Sequence, residues 1–149
     1  RVYISKSNKK KIHSNVKKLL NEEIKFGLKN FETYRNFGKK VYEIRKNVLR
    51  NLTKLKQKEK KIIGFGAPAK ATTALNFYGI TDQIDFIVED NPLKHNKFIP
   101  GVKIPIKNKS QIKDNDNTLI VLAWNFFKDI KKNNSELSKN IINIKNLET

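Results

Sequence analysis

The heptapeptide GFGAPAK, residues 64–70, is the stretch of the sequence most suggestive of chemistry. Its first six residues fit the G-x-G-x-x-G/A pattern of a turn that binds the diphosphate of a dinucleotide. Gly64 and Gly66 allow unusual backbone angles and the close approach of a ligand. The pattern leaves three interpretations open: an NAD site, a site for another phosphorylated ligand, and a tight strand-to-helix connection.

Two residues of this turn point away from a plain NAD site. Pro68 suits the first helical position, where its missing N–H has no intrahelical partner to lose. Lys70 puts a cation in the first helical turn, against the helix dipole, and a bound phosphate would offset that penalty. We therefore treat Lys70 as a candidate ligand residue, with an ordinary surface lysine as the alternative in a chain of 28 lysines.

A second polar segment, EDNPLK, occupies residues 89–94 after an apolar run. Its first residue, Glu89, lies 20 positions beyond Ala69, where NAD-binding units place the acid that holds a ribose. The same segment can equally form a turn in which Asp90 and Asn91 bond their own backbone. Glu89 thus favours the NAD interpretation without deciding it.

A third cluster is the pair Trp124 and Asn125, which ends the apolar run TLIVLAW. Both a core tryptophan and a ligand-facing pair at a strand end remain open. None of the three clusters contains a Ser-His-Asp set, a carboxylate pair in a recognisable context or a nucleophilic cysteine. We therefore expect no stand-alone enzyme.

The elements that must position these clusters are strands alternating with helices. KIIGFG, QIDFIVEDN, TLIVLAW and NIINI are predicted strands, with helices at 67–78 and 125–133 and a Pro-Gly turn with a short extended piece in KFIPGVKIPI. The predicted fold is α/β, a small Rossmann-like open parallel sheet with flanking helices, preceded by a long N-terminal helical segment. Ligands bind at the carboxyl ends of such strands, so the three clusters are expected to meet at one edge.

The N-terminal segment carries two predicted helices. The first begins near Ser14, a plausible N-cap, and ends at Gly27 or Asn30. The second begins at about Phe31 and runs for about 28 residues along one apolar stripe. The stripe consists of Phe31, Tyr34, Phe37, Val41, Ile44, Val48, Leu52 and Leu55. We interpret it as a face packed on the following domain or on one upstream, with a base-stacking platform as the alternative.

The formal net charge of +18 suggests a nucleic-acid partner, because phosphate contacts need cations. Its distribution argues otherwise. Residues 1–61 carry +15 and residues 62–149 only +3, and the cations are lysines with just four arginines. Arginine is the better planar reader of bases and phosphates, so we do not expect nucleic acid as the partner.

The remaining composition restricts the class of protein further. Without cysteine, and with only His13 and His95, a metal site is not expected. No apolar run reaches the roughly 20 residues of a membrane span, and no signal peptide is visible, so a cytoplasmic protein without a membrane partner is predicted. The chain has no methionine and opens on RVYI, which resembles the interior of a strand. We expect a fragment whose missing part lies upstream.

The three clusters together carry a resemblance to a known family. GFGAPAKATTALNFYGI, IVEDNPLKHNKFIPGVKIPI and LIVLAWNF, in this order, resemble the C-terminal domain of the SAM-dependent sugar C-methyltransferases, which build branched deoxysugars on nucleotide carriers. The preceding GLKNFETYRNFGKKVYEIRKNVLRNL resembles the helical connection upstream of that domain. The resemblance implies three parts: residues 1–12 as a strand stub and linker, 13–61 as a helical connection, and 62–149 as a Rossmann-like C-terminal domain.

The resemblance also implies a role. The parent protein would be a methyltransferase with an upstream SAM-binding catalytic domain and a zinc-binding domain, and this chain alone would hold no cofactor, metal or activity. Its part would be to help bind a nucleotide-linked sugar. The residues implied to approach that ligand are Gly66, Ala67, Pro68, Ala69, Lys70, Asn91, Lys94, Trp124 and Asn125.

Two departures from the family pattern leave the identity of the sugar open. His95 and Asn96 stand where the family has Gln-Gly, and Ala71-Thr72-Thr73 replaces the more familiar Gly-Asn-Thr. Two other functions are kept as alternatives: an NAD(P)-binding domain of an oxidoreductase or regulator, and a basic nucleic-acid-binding module.

Overall fold

The computed structural model describes residues 2–6, 10–58 and 61–149. These residues form two compact units, Arg1–Val41 and Tyr42–Thr149. Unit 1 holds helix α1 (Ser14–Phe26) and the first part of helix α2 (Phe31–Lys58), whose bounds match the prediction. Unit 2 holds the rest of α2 and an α/β fold.

The ends of α1 follow capping chemistry. His13, and not Ser14 as predicted, caps the start, because its Nδ1 accepts the N–H of Asn15 at 3.2 Å. Gly27 ends the helix with φ of 88°, in the left-handed region that favours glycine.

The apolar side chains of unit 1 lie on its surface. Phe31, Tyr34 and Phe37, the first members of the predicted α2 stripe, are 70%, 53% and 67% exposed. The domain expected to cover them therefore stays a prediction. The strand predicted at RVYI also stays a prediction. Val2–Ile4 form no strand, and Arg1 lies outside the described residues. The sheet that this strand would join was expected in an upstream domain.

The sheet of unit 2 has the predicted α/β character. Its strands are β1 (Ile62–Phe65), β2 (Phe86–Val88), β3 (Lys97–Phe98), β4 (Pro105–Lys107), β5 (Thr118–Val121) and β6 (Asn140–Asn143). Their order is β3-β4-β2-β1-β5-β6. All neighbours are parallel except β3, which pairs antiparallel with β4. The predicted open parallel sheet is thus confirmed, with one antiparallel edge strand where KFIPGVKIPI folds back on itself as a hairpin.

Besides α2, the helices α3 (Ala69–Tyr78) and α4 (Phe127–Asn133) flank the sheet. The prediction placed Pro68 inside α3, but its φ of −72° and ψ of 160° are extended, and the helix begins one residue later. Gly79 ends α3 as predicted, with φ of 75°. The third predicted strand ends at Val121, and Trp124–Phe126 form a 3-10 turn before α4.

Two apolar layers hold the sheet. On one face, Ile62, Ile87 and Ile120 pack with α3 and with Val48 and Leu52 of α2. On the other face, the core consists of Ile63, Phe65, Phe86, Val88, Leu119, Val121 and Ile141. The C-terminal half of the α2 stripe is therefore a packing face, as interpreted from sequence.

Polar contacts fix α2 to the α/β fold. Lys56 Nζ lies 2.6 Å from Asp85 Oδ2, and the same oxygen accepts the N–H of Ile62 at 2.8 Å. The side-chain amide of Asn51 donates to the carbonyls of Leu147 and Thr149. In the described part of the chain, no helix has the length and apolar character to cross a membrane.

Candidate functional site

The sheet reverses its order between β1 and β5. From β1 the chain builds β2 and β4 on one side, then crosses to β5 and β6 on the other. Ligands of open α/β sheets bind in the crevice at such a switch point, outside the carboxyl ends of the strands. The predicted GFGAPAK turn leaves β1 here, and Trp124 follows β5.

The turn after β1 lies tightly against its neighbours. Gly66 has φ of 88° and donates its N–H to the Val88 carbonyl at 2.8 Å. A Cβ at Gly66 would lie 3.1 Å from that of Ala123, at the tip of β5. The positive φ favours glycine at this position, and a side chain here would also pack tightly against Ala123.

Glu89, at the tip of β2, binds the turn itself. Its Oε2 accepts the N–H of Ala67 at 2.7 Å, and its Oε1 accepts the N–H of Asn91 at 3.2 Å. Burial raises the pKa of this carboxyl, but the two backbone donors and the Lys94 charge outweigh burial and hold the pKa below its ordinary value. The carboxylate that an NAD site would turn toward a ribose is used here to order the turn.

Lys94 completes this network. Its Nζ donates to the carbonyl of Ala67 at 2.9 Å and lies 3.4 Å from Glu89 Oε2. Both polar groups of Ala67 are thus bound by side chains of the second cluster. Asn91, another predicted site residue, accepts the N–H of Leu93 at 3.0 Å and caps a short 3-10 turn. The first two clusters meet, as expected, and contact of Lys94 or Asn91 with a ligand stays a prediction.

The third cluster meets the first through Lys70 and Trp124. Lys70 Nζ lies 4.2 Å from the centroid of the Trp124 ring, within the range of a cation–π contact. Trp124 is half-buried and packs on the core, as one of the two interpretations expected, and its contact with a ligand stays a prediction. Asn125 is exposed.

Sequence reasoning missed two features of this edge. Lys145 comes just after β6 and places its Nζ 5.8 Å from the same indole centroid. A polar depression of about 260 Å³ lies beyond β2 and is lined by His95, Asn96, Lys107, Asn108 and Gln111. Extending the search for strand tips to the predicted strand NIINI would have found Lys145, because β6 is parallel to β5 and ends at the same edge.

No metal site accompanies these groups. Among residues 2–6, 10–58 and 61–149, no three His, Cys, Asp or Glu side chains cluster closely enough to hold an ion.

Comparison with known proteins decides the family. A family model described as the C-methyltransferase C-terminal domain matches residues 1–143. The chain belongs to this family. The resemblance found in the strand-tip motifs is therefore confirmed at the level of a C-methyltransferase C-terminal domain.

A curated relative agrees with this assignment. Over 127 residues the chain is 29% identical to C-methyltransferase NovU of Streptomyces niveus. The aligned part covers 84% of this chain but 30% of the relative. This C-methyltransferase C-terminal domain thus corresponds to less than a third of its relative.

Proposed function

We propose that the chain is the substrate-binding domain of a SAM-dependent C-methyltransferase and that its ligand is a nucleotide-linked sugar. One observation carries the proposal: beside the switch point, Lys70 Nζ lies 4.2 Å from the centroid of the Trp124 ring. An ammonium group suits the diphosphate of a nucleotide carrier, and an indole offers a stacking surface. The Gly66 turn lies against Ala123, the residue that precedes Trp124.

The parent reaction is inferred from the family. An upstream domain would hold SAM, which supplies the methyl group, and a zinc-binding domain would precede it. A base outside this chain would remove a proton from a sugar carbon next to a ketone, and that carbon would take the methyl group. The contribution of this chain is to bind and orient the carrier, so we expect no activity from it alone.

The NAD alternative has less support from the geometry. Glu89 would have to exchange its bonds from Ala67 and Asn91 for those of a ribose. The nucleic-acid alternative is also tested below because the composition is rich in lysine, although no contact among the described residues favours it.

Calorimetry of the chain with a dTDP-sugar, NADH and duplex DNA separates the three functions. We expect the dTDP-sugar to bind and Lys70→Ala to weaken it by on the order of 1–3 kcal/mol, because a charged contact to the diphosphate is lost. The matched control is Lys54→Ala, which removes an exposed lysine of α2 and should leave the affinity unchanged.

Micromolar binding of NADH without a response to the dTDP-sugar would overturn the proposal. If Lys70→Ala binds the dTDP-sugar with unchanged affinity, Lys70 is an ordinary surface lysine and not a ligand residue. Because the proposed cleft needs the catalytic domain, the same titrations are repeated with the complete parent enzyme.

A further inference from the structure

Trp124 is contacted by two cations, from two different strand tips. Lys70 Nζ lies 4.2 Å and Lys145 Nζ 5.8 Å from the indole centroid. Adding these distances puts the two ammonium groups at most 10.0 Å apart. That is within about one Debye length at 0.1 M salt, so the two charges repel each other.

Neither cation has a carboxylate partner among the described residues. Two other lysines at this end of the sheet do: Lys94 lies beside Glu89, and Lys109 Nζ is 2.7 Å from Asp90 Oδ1. Within 2–6, 10–58 and 61–149, no ion pair involves Lys70 or Lys145. The Lys70–Trp124–Lys145 cluster is therefore a concentration of positive charge for which the described residues supply no paired carboxylate.

We infer that Lys70 and Lys145 form a two-cation site for a diphosphate, with Trp124 holding both side chains in place. A diphosphate carries charge on two adjacent phosphoryl groups, so it can bind both ammonium groups at once and remove their repulsion. The lysine stems can lie on the apolar indole while their ends reach the ligand. The inference rests on the proposed function for the identity of the carrier and adds Lys145 to its binding residues.

A lysine over an aromatic ring also occurs where no ligand is proposed. Lys61 Nζ lies 5.9 Å from the Phe86 centroid, a distance close to that of Lys145 from Trp124. Lys61 directly precedes β1, at the amino end of the strand, away from the switch point. It is therefore the matched control for a lysine that only covers a ring.

The test uses inorganic pyrophosphate, which has neither a nucleoside nor a sugar. Its affinity is measured by calorimetry for the full chain and for Lys70→Ala, Lys145→Ala and Lys61→Ala. We expect each of the first two changes to weaken binding about tenfold or more, since each removes one charged contact, and Lys61→Ala to have no effect. The dTDP-sugar should compete with pyrophosphate.

The outcomes distinguish this inference from the proposed function. The two-cation site is overturned if pyrophosphate does not bind at millimolar concentration. It is also overturned if Lys70→Ala or Lys145→Ala binds pyrophosphate as tightly as Lys61→Ala does. Both results hold even where the dTDP-sugar binds. Pyrophosphate binding that needs both lysines but is not displaced by the dTDP-sugar supports the site and contradicts the nucleotide-sugar function.

Discussion

At the scale of single residues, the Glu89 carboxylate orders the turn between β1 and α3. Its side chain is 14% exposed and accepts two backbone N–H groups while facing Lys94. Ala67 and its neighbours therefore have a fixed conformation before any ligand arrives, which reduces the ordering needed on binding.

Glu89→Gln tests this role through pH. The folded-state pKa of Glu89 lies below the ordinary value of 4.5, so the ionised form stabilises the fold above that pH, and this contribution disappears as pH falls through the lowered pKa. We expect Glu89→Gln to reduce the free energy of unfolding by about 1–3 kcal/mol at pH 7 and by much less at pH 3. Urea denaturation at both pH values measures the difference.

The control is Glu136→Gln, at an exposed glutamate, which should change stability little at either pH. If Glu89→Gln lowers the free energy of unfolding by the same amount at both pH values, the charge of Glu89 does not stabilise the turn.

The contacts of individual side chains could not be predicted from the sequence. The spacing of Lys70, Lys94 and Trp124 placed them at strand tips, and the structure brings Lys70 to Trp124 and Lys94 to Ala67. Spacing does not tell whether an ammonium group faces solvent or a carbonyl of its own chain. The contacts of Lys94 depend on the Glu89 rotamer and on the short turn between them, which only the folded chain defines.

At the scale of elements, α2 joins the α/β fold by its C-terminal half. Val48 and Leu52 are fully buried, and Ile44 and Leu55 pack beside them. This element was predictable to its ends because a long 3.6-residue period is a strong signal. The hairpin of β3 and β4 was not, since β3 has only two residues and both are exposed. Likewise, TLIVLAW stays apolar after the strand ends, so its composition hides the bend at Ala123.

Leu52→Ala tests the packing of α2. Leu52 has no exposed surface, so we expect a loss of about 2–5 kcal/mol in the free energy of unfolding from lost burial and the cavity left behind. Leu93→Ala is the matched control, because Leu93 is 77% exposed and should change stability by no more than about 0.5 kcal/mol. Equal, small losses in both variants would mean that α2 does not belong to the core.

At the scale of the whole molecule, the buried apolar side chains belong to unit 2. Both core clusters of the described chain are assembled from residues between Ile44 and Leu147. Helix α1 has no buried residue, and helices of its length are marginal in water without packing. The apolar side chains of α1 are thus exposed, which fits the upstream domain proposed as the partner of this helix.

A chain of residues 42–149 should therefore fold by itself. We expect a cooperative thermal transition in this truncated chain, with the melting temperature within a few degrees of the full chain, since unit 2 contains its own core. Circular dichroism of the truncated and full chains measures both quantities. A broad, non-cooperative transition in the truncated chain would contradict this expectation.

Trp124 has a practical consequence. It is the sole tryptophan of the sequence, so indole emission from this protein comes from a single position. That position lies under Lys70 and beside Lys145. A ligand that draws either ammonium group away from the ring changes the field around the indole, and with it the colour and intensity of the emitted light. The molecule thus carries its own unlabelled optical probe at the edge of the sheet where its ligand is proposed to bind.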